Sequence, residues 1–148
     1  MFRTAGPADL DAVLGLYRQL HPGDPVLDDA SARAAFDAIL STPGLDLFVL
    51  DRDGRVVATT YLNVIANLTR SAAPYAVIEN VVVDAELRGT GIGKQVMAAT
   101  LDVAWARGCY KAMLLTGSRD PATHAFYRAC GFSGDAKTAY LARPPQPD

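Results

Sequence analysis

Val81-Val82-Val83-Asp84-Ala85-Glu86-Leu87-Arg88-Gly89-Thr90-Gly91-Ile92-Gly93-Lys94 runs from a β-branched triplet through a short polar elbow into glycines that open an apolar-periodic segment. Three consecutive valines suit a strand buried on both faces, and Gly89, Gly91 and Gly93 admit a ligand to backbone that a Cβ would screen. A helix starting here points unpaired N–H groups and the positive end of its dipole at the turn, so phosphate is the natural guest. Arg88 and Lys94 add positive charge at the rim.

Two glycine motifs fail on these residues. A phosphate-binding loop of the Walker type needs glycine five positions before the Gly-Lys pair and Ser or Thr after it, where Arg88 and Gln95 stand. A dinucleotide fingerprint needs its third glycine at Lys94 and an acidic residue about 20 positions on, where Gly108 to Tyr110 offer none. What fits is Arg-x-x-Gly-x-Gly, as Arg88, Gly91 and Gly93, after a strand ending in Val-Asp. This resembles the signature of the GNAT superfamily of N-acetyltransferases. The resemblance implies that Arg88, Gly89, Thr90, Gly91, Gly93 and Lys94 cradle the pyrophosphate of acetyl-CoA, a cosubstrate. It also implies that the backbone of Val81, Val82 and Val83 pairs with the pantetheine arm. A glycine-rich turn with no ligand is the structural alternative.

The 148 residues match one domain over 1–148 that buries its own core. Net charge is −2 and the 14 Lys and Arg form no run, which argues against a nucleic-acid partner. Cys109 and Cys130 are the only cysteines and there are two histidines, so neither metal site nor disulfide is expected. No apolar signal core opens the chain and no segment approaches ~18 uninterrupted apolar residues, so no membrane partner and a cytoplasmic location are expected. A homodimer is left open.

Along the chain, a short strand at Phe2 to Thr4 precedes a helix that begins at Pro7, carries Leu10, Val13, Leu14 and Tyr17, and ends near Leu20. Asp28 or Asp29 caps a second helix with Phe36, Ile39 and Leu40. Leu47 to Leu50 and Arg55 to about Asn67 read as strands joined by an Asp53-Gly54 hairpin, and Tyr75 to Val83 as the next strand. In the helix after the glycine turn, Ile92, Val96, Ala99 and Val103, flanked by Met97, Leu101 and Ala104, define the face expected on the sheet. Gly108 ends it, and Tyr110 to Thr116 is a further strand. Asp120-Pro121 caps a helix closed by Gly131, a last strand is expected around Phe132 to Leu141, and residues 143–148 should fray.

This order implies an α/β fold with a mixed, mostly antiparallel central sheet flanked by helices, which is also the order of the GNAT fold. Ala125 to Phe132 is similar to the Phe-Tyr-x-x-x-Gly-Phe segment of many family members. Asp120 stands where relatives often carry an asparagine that touches the cofactor, a departure in charge.

Acetyl transfer to an amine poses two proton problems. An alkylamine of pKa ~10.4 is almost wholly protonated at pH 7, so a base is required. Strict strand alternation would put Glu79 on one face with Tyr75, Val77, Val81 and Val83, looking toward a cavity. There it serves as base, directly or through water, as family members often use a Glu on this strand; alternatively it pairs with Lys111 or Arg55, or a bulge turns it to solvent. Asn80, on the opposite face, reads as structural. The departing thiolate needs an acid, and Tyr127, of a residue class with pKa ~10, keeps its proton at neutral pH; otherwise it is a packed helix tyrosine. A backbone N–H near Val81 would face the developing oxyanion. His124 reads as a helix-surface residue and Cys130 as packing.

The function expected is acetyl transfer from acetyl-CoA to a primary amine of a small molecule, such as an amino sugar phosphate, an aminoalkylphosphonate or an amino acid. A CoA-binding regulatory domain without turnover, and acetylation of protein N-termini or lysines, are the competing readings.

Overall fold

The computed structural model describes residues 1–145. They form two compact units, the first from Met1 to Leu114 and the second from Leu115 on, each described by itself.

The first unit is built on a sheet of five strands: β1 (Phe2–Thr4), β2 (Leu45–Arg52), β3 (Arg55–Ile65), β4 (Tyr75–Val83) and β5 (Ala112–Met113), ordered β1-β2-β3-β4-β5. The first four pair antiparallel and β5 pairs with β4 in parallel. Helices α1 (Leu10–Leu20) and α2 (Asp29–Ser41) precede β2, and α3 (Ile92–Ala106) makes the crossover from β4 to β5. Asp53 and Gly54 both have positive φ, which suits the tight turn joining two right-twisted strands. Gly44 is required for a second reason: a Cβ there would lie 2.7 Å from the Val64 carbonyl oxygen.

Two hydrophobic layers sandwich the sheet. Leu10, Val13 and Phe36 from α1 and α2 pack with Leu47 and Val49 on one side, while Ile92 and Val96 of α3 pack with Leu50, Val57 and Ala58 on the other. The buried line of α3 runs through Ile92, Val96, Met97, Thr100 and Ala104, so it is rotated from the expected line through Ala99 and Val103. Thr100 lies on the core side because its hydroxyl meets that of Thr60 at 2.7 Å and bonds the Val96 carbonyl, which satisfies a polar group that apolar periodicity ignores.

Other departures from the sequence reading are local. Pro7 opens a short 3-10 turn, Pro7–Asp9, and α1 begins only at Leu10. The strand expected over Tyr110 to Thr116 shrinks to two residues, because the ladder with β4 consists of the pairs Ala76–Ala112 and Val77–Met113. Residues 132–141 form no strand, contrary to expectation. The chain there is spent on terminating α4 (Pro121–Ala129) and on loops whose residues are mostly exposed, with no apolar face to pair. Of the tail expected to fray, residues 146–148 lie outside the described residues.

The first turn is held by a buried carboxylate. Asp9 accepts two hydrogen bonds from the Arg3 guanidinium, at 2.7 and 2.9 Å, and one from the Gly6 N–H at 2.7 Å. Arg3 foremost, with that N–H, holds the Asp9 carboxyl below the usual carboxylate range. Its contribution to stability is therefore complete above the unfolded value of about 3.9 and is lost as pH falls through the lower folded value. Asp9→Ala is expected to cost about 1–3 kcal/mol near neutral pH, and less as the pH falls through the folded value of Asp9, in urea titrations of both proteins across that range.

Candidate functional site

Strand β4 is not regular. Thr59 pairs with Val82 and Tyr61 with Glu79, so the single residue Thr60 faces both Asn80 and Val81. This is a bulge, and Asn80 takes up the extra length with φ +49, a left-handed conformation in which asparagine is enriched. The bulge inverts the facing of everything after it. Glu79 shares a face with Tyr75, Val77 and Val82, not with Val81 and Val83 as strict alternation requires, and its side chain is exposed. Among the described residues no cation pairs with it, neither Lys111 nor Arg55.

The expected structural role of Asn80 takes a specific form. Its side chain hydrogen-bonds the half-buried Tyr17 hydroxyl of α1, which also meets Thr59. Burial pushes the Tyr17 hydroxyl up to about 12, against the opposing pull of those hydrogen bonds. A neutral phenol on α1 thus braces the strained residue. Sequence reasoning saw Tyr17 only as a core position; the signal it passed over was an asparagine interrupting a β-branched run.

Beyond Val77, β4 has no further ladder with β5, and a bulge also takes its extra residue out of the ladder with β3. Val82 pairs with Thr59 of β3, whereas Val81 in the bulge and Val83 turn backbone groups to the β5 side, immediately before the glycine turn.

The polar elbow of that turn is tied down at several points. The Asp84 N–H bonds the Val57 carbonyl at 2.9 Å and the Ala85 N–H bonds the Gln19 side chain at 2.9 Å. The Asp84 carboxylate caps a 3-10 turn, Ala85–Leu87, through the Glu86 N–H and meets Arg55 at 2.8 Å. That N–H first, with Arg55 next, holds the Asp84 carboxyl below its ordinary range. Arg88 donates from Nε to the Val83 carbonyl, and the Thr90 hydroxyl to the Leu87 carbonyl at 2.6 Å.

Gly89 and Gly91 then adopt φ +78 and +89, and a Cβ on either would meet no protein atom within 4 Å. Only glycine takes this backbone without strain, and the space before it is open. The first bond of α3 runs from the Gln95 N–H to the Gly91 carbonyl, so the N–H groups of Ile92, Gly93 and Lys94 precede the helical ladder. Exposed Arg88 and Lys94 flank them. These features fit a diphosphate: N–H donors, the positive end of a 15-residue helix, two cations and no side chain in the way.

In the second unit Asp120 caps α4, its carboxylate accepting the Ala122 N–H at 2.9 Å. Tyr127 is half-buried between Phe126, at 5.1 Å between ring centroids, and Phe132, edge-on at 6.2 Å. The Phe132 N–H bonds the Tyr127 carbonyl and the Gly131 N–H that of Arg128, with Gly131 at φ +91. This is a complete Schellman termination, whose usual hydrophobic contact is the Tyr127–Phe132 pair. His124 Nε2 hydrogen-bonds the Ser118 carbonyl at 2.8 Å.

Comparison with known proteins decides the family. The model of the acetyltransferase (GNAT) family matches residues 11–132. The chain belongs to the GNAT acetyltransferases. It is 34% identical over 122 residues to glucosamine 6-phosphate N-acetyltransferase 1 of Oryza sativa subsp. japonica, covering 80% of this chain and 72% of that one. A solved structure from Agrobacterium tumefaciens str. C58, itself classed with the acetyltransferases, matches with TM-score 0.93 and 48% identity over 97% of this chain and 99% of that one. Glucosamine-6-phosphate N-acetyltransferase from Arabidopsis thaliana matches with TM-score 0.83 and 25% identity over 97% of both chains. GNAT acetyltransferases use acetyl-CoA, and among the described residues no group of side chains could hold a metal ion. No helix among them is long and apolar enough to cross a membrane.

Proposed function

We propose that this GNAT acetyltransferase moves the acetyl group of acetyl-CoA to a primary amine of a small molecule by direct attack in a ternary complex. The observation that carries the reading is the continuity of the bulge, the open edge of β4 and the glycine turn within thirteen residues, Glu79 to Gly91. Acetyl-CoA would supply the activated acyl group as a thioester. The turn from Arg88 to Lys94 holds its diphosphate, and the segment Val81 to Val83, through the backbone that Val81 and Val83 turn outward, receives the extended arm in the manner of an added strand. An N–H near Val81 stabilises charge growing on the carbonyl oxygen.

Glu79 takes the proton of the incoming ammonium, directly or through a water, which its exposed position on β4 permits. Tyr127 returns a proton to sulfur as the C–S bond breaks, and Asp120, the cap of α4, is assigned to cofactor binding. A small acceptor is supported by the relatives named for acetylation of glucosamine 6-phosphate.

Gly91→Val should weaken acetyl-CoA binding at least tenfold, since valine at φ +89 must remodel the turn. Calorimetric titration of the folded variant reads this, and an unchanged affinity would remove the turn from the site.

Glu79→Gln and Tyr127→Phe each preserve shape. Both should leave acetyl-CoA affinity within about twofold and lower single-turnover acetylation by about 10²- to 10⁴-fold, the usual worth of a general acid or base. The Glu79→Gln loss should shrink as pH rises toward the pKa of the amine, while the Tyr127→Phe loss should not. The Tyr127→Phe ring keeps its contact with Phe132, so a rate within threefold of wild type would leave Tyr127 a termination residue only. Tight acetyl-CoA binding with no turnover on any amine by the wild type would overturn the proposal.

A further inference from the structure

A second group of side chains lies outside the glycine turn and the residues given roles above. Tyr75, at the start of β4, packs edge-on against Tyr110, ring centroids 6.4 Å apart. Lys111 Nζ sits 5.2 Å from the Tyr75 ring and 5.4 Å from the Tyr110 ring, and the Arg70 guanidinium 5.8 Å from the Tyr110 ring. Two cations from separate segments thus converge on one pair of rings. Neither has a carboxylate partner among the described residues, whereas Arg3, Arg55 and Arg107 all do.

Placing the cations there carries costs. Arg70, Ser71 and Ala72 are three successive left-handed residues, at φ +55, +58 and +61, none of them glycine. Each such residue is disfavoured by roughly 1–2 kcal/mol, and two like charges gathered around one ring repel. Cation–π attraction at an exposed site returns about 0.5–1 kcal/mol per pair, which does not cover the strain. The Asn67 side chain holds the turn by donating to the carbonyls of Thr69 and Ala73. Such strain with uncompensated charge suits an anion that arrives with the substrate.

Position ties the group to the acceptor side. Tyr75 and Glu79 are four residues apart on one face of β4, about 13 Å along the strand. Lys111 directly precedes the Ala76–Ala112 pair, which in a parallel ladder sets it beside Tyr75 on that face.

We propose that Arg70 and Lys111, steadied by Tyr75 and Tyr110, form a subsite for a phosphate carried by the acceptor at the end remote from its amine. This rests on Glu79 marking the acceptor face. Two positive charges match a dianion, with the Arg fork taking two oxygens and Lys a third as a point charge. The subsite acts on acceptor affinity, not on the chemical step.

The test separates binding from turnover. Amide chemical shifts of the wild type, Arg70→Met and Lys111→Met would be followed on titration with glucose 6-phosphate, phosphoethanolamine and glucose, the methionines keeping the apolar stems. Wild type should bind at least one phosphate with shifts centred on residues 67–75 and 110–112, and glucose should produce none. Each variant should weaken that binding tenfold or more, and in acetylation of phosphorylated amines should raise KM with kcat nearly unchanged. Absence of phosphate binding by the wild type, shifts confined to residues 88–94, or variants that bind as tightly as wild type would each overturn the subsite. If phosphate binds in an Arg70- and Lys111-dependent way but no amine is acetylated, the subsite stands and the proposed acetyl transfer falls.

Discussion

The ladder between β3 and β4 has to absorb one residue too many, and most of what is distinctive in the first unit follows from how it does so. Asn80 takes a left-handed turn within a strand otherwise rich in valine and isoleucine. That conformation costs an estimated 1–3 kcal/mol, and it survives because the paired strand, Tyr17 and Thr59 all constrain the same few atoms. A flat β4 would present Val81 and Val83 with Glu79. The bent one faces Glu79 with Val82 and puts the strand on a heading into the elbow at Asp84.

Preorganisation is the second theme. The elbow is fixed by Val57, Gln19 and Arg55, so the left-handed glycines and the free N–H groups of α3 are positioned before any anion arrives. Ordering costs met during folding are not met again on binding. The N–H groups ahead of the α3 ladder are also backbone groups, whose geometry does not depend on rotamers.

Regions with a strong local code were legible in the sequence. Tyr75 to Val83, the Asp53-Gly54 hairpin, the caps at Asp28 and Asp120 and the glycine terminators at 108 and 131 all stand where residue chemistry puts them. The bulge was not legible, because pattern reading assumes a period of exactly two and the extra residue is only defined by a partner strand. Thr100 was missed on the α3 stripe for a related reason: its polarity is cancelled by Thr60, forty residues away. The last strand failed because residues 132–141 are mostly exposed and offer no apolar face to pair. Of the site, the glycine turn was clear, whereas the facing of Glu79 and the convergence of Arg70 with Lys111 depend on register across strands.

The order of the sheet also shapes how the chain can assemble. Strands β1 to β4 are neighbours both in space and, apart from the α1–α2 excursion, in sequence, so every antiparallel ladder is complete once Val83 has been made. Only the two-pair parallel match of β5 awaits the long closure through α3. Contacts of short sequence separation form fastest, and a chain emerging from its N-terminus can therefore build the meander first. The face that carries Glu79 would exist before the residues following α3 are synthesised, leaving β5 to dock as the last and most easily reopened strand.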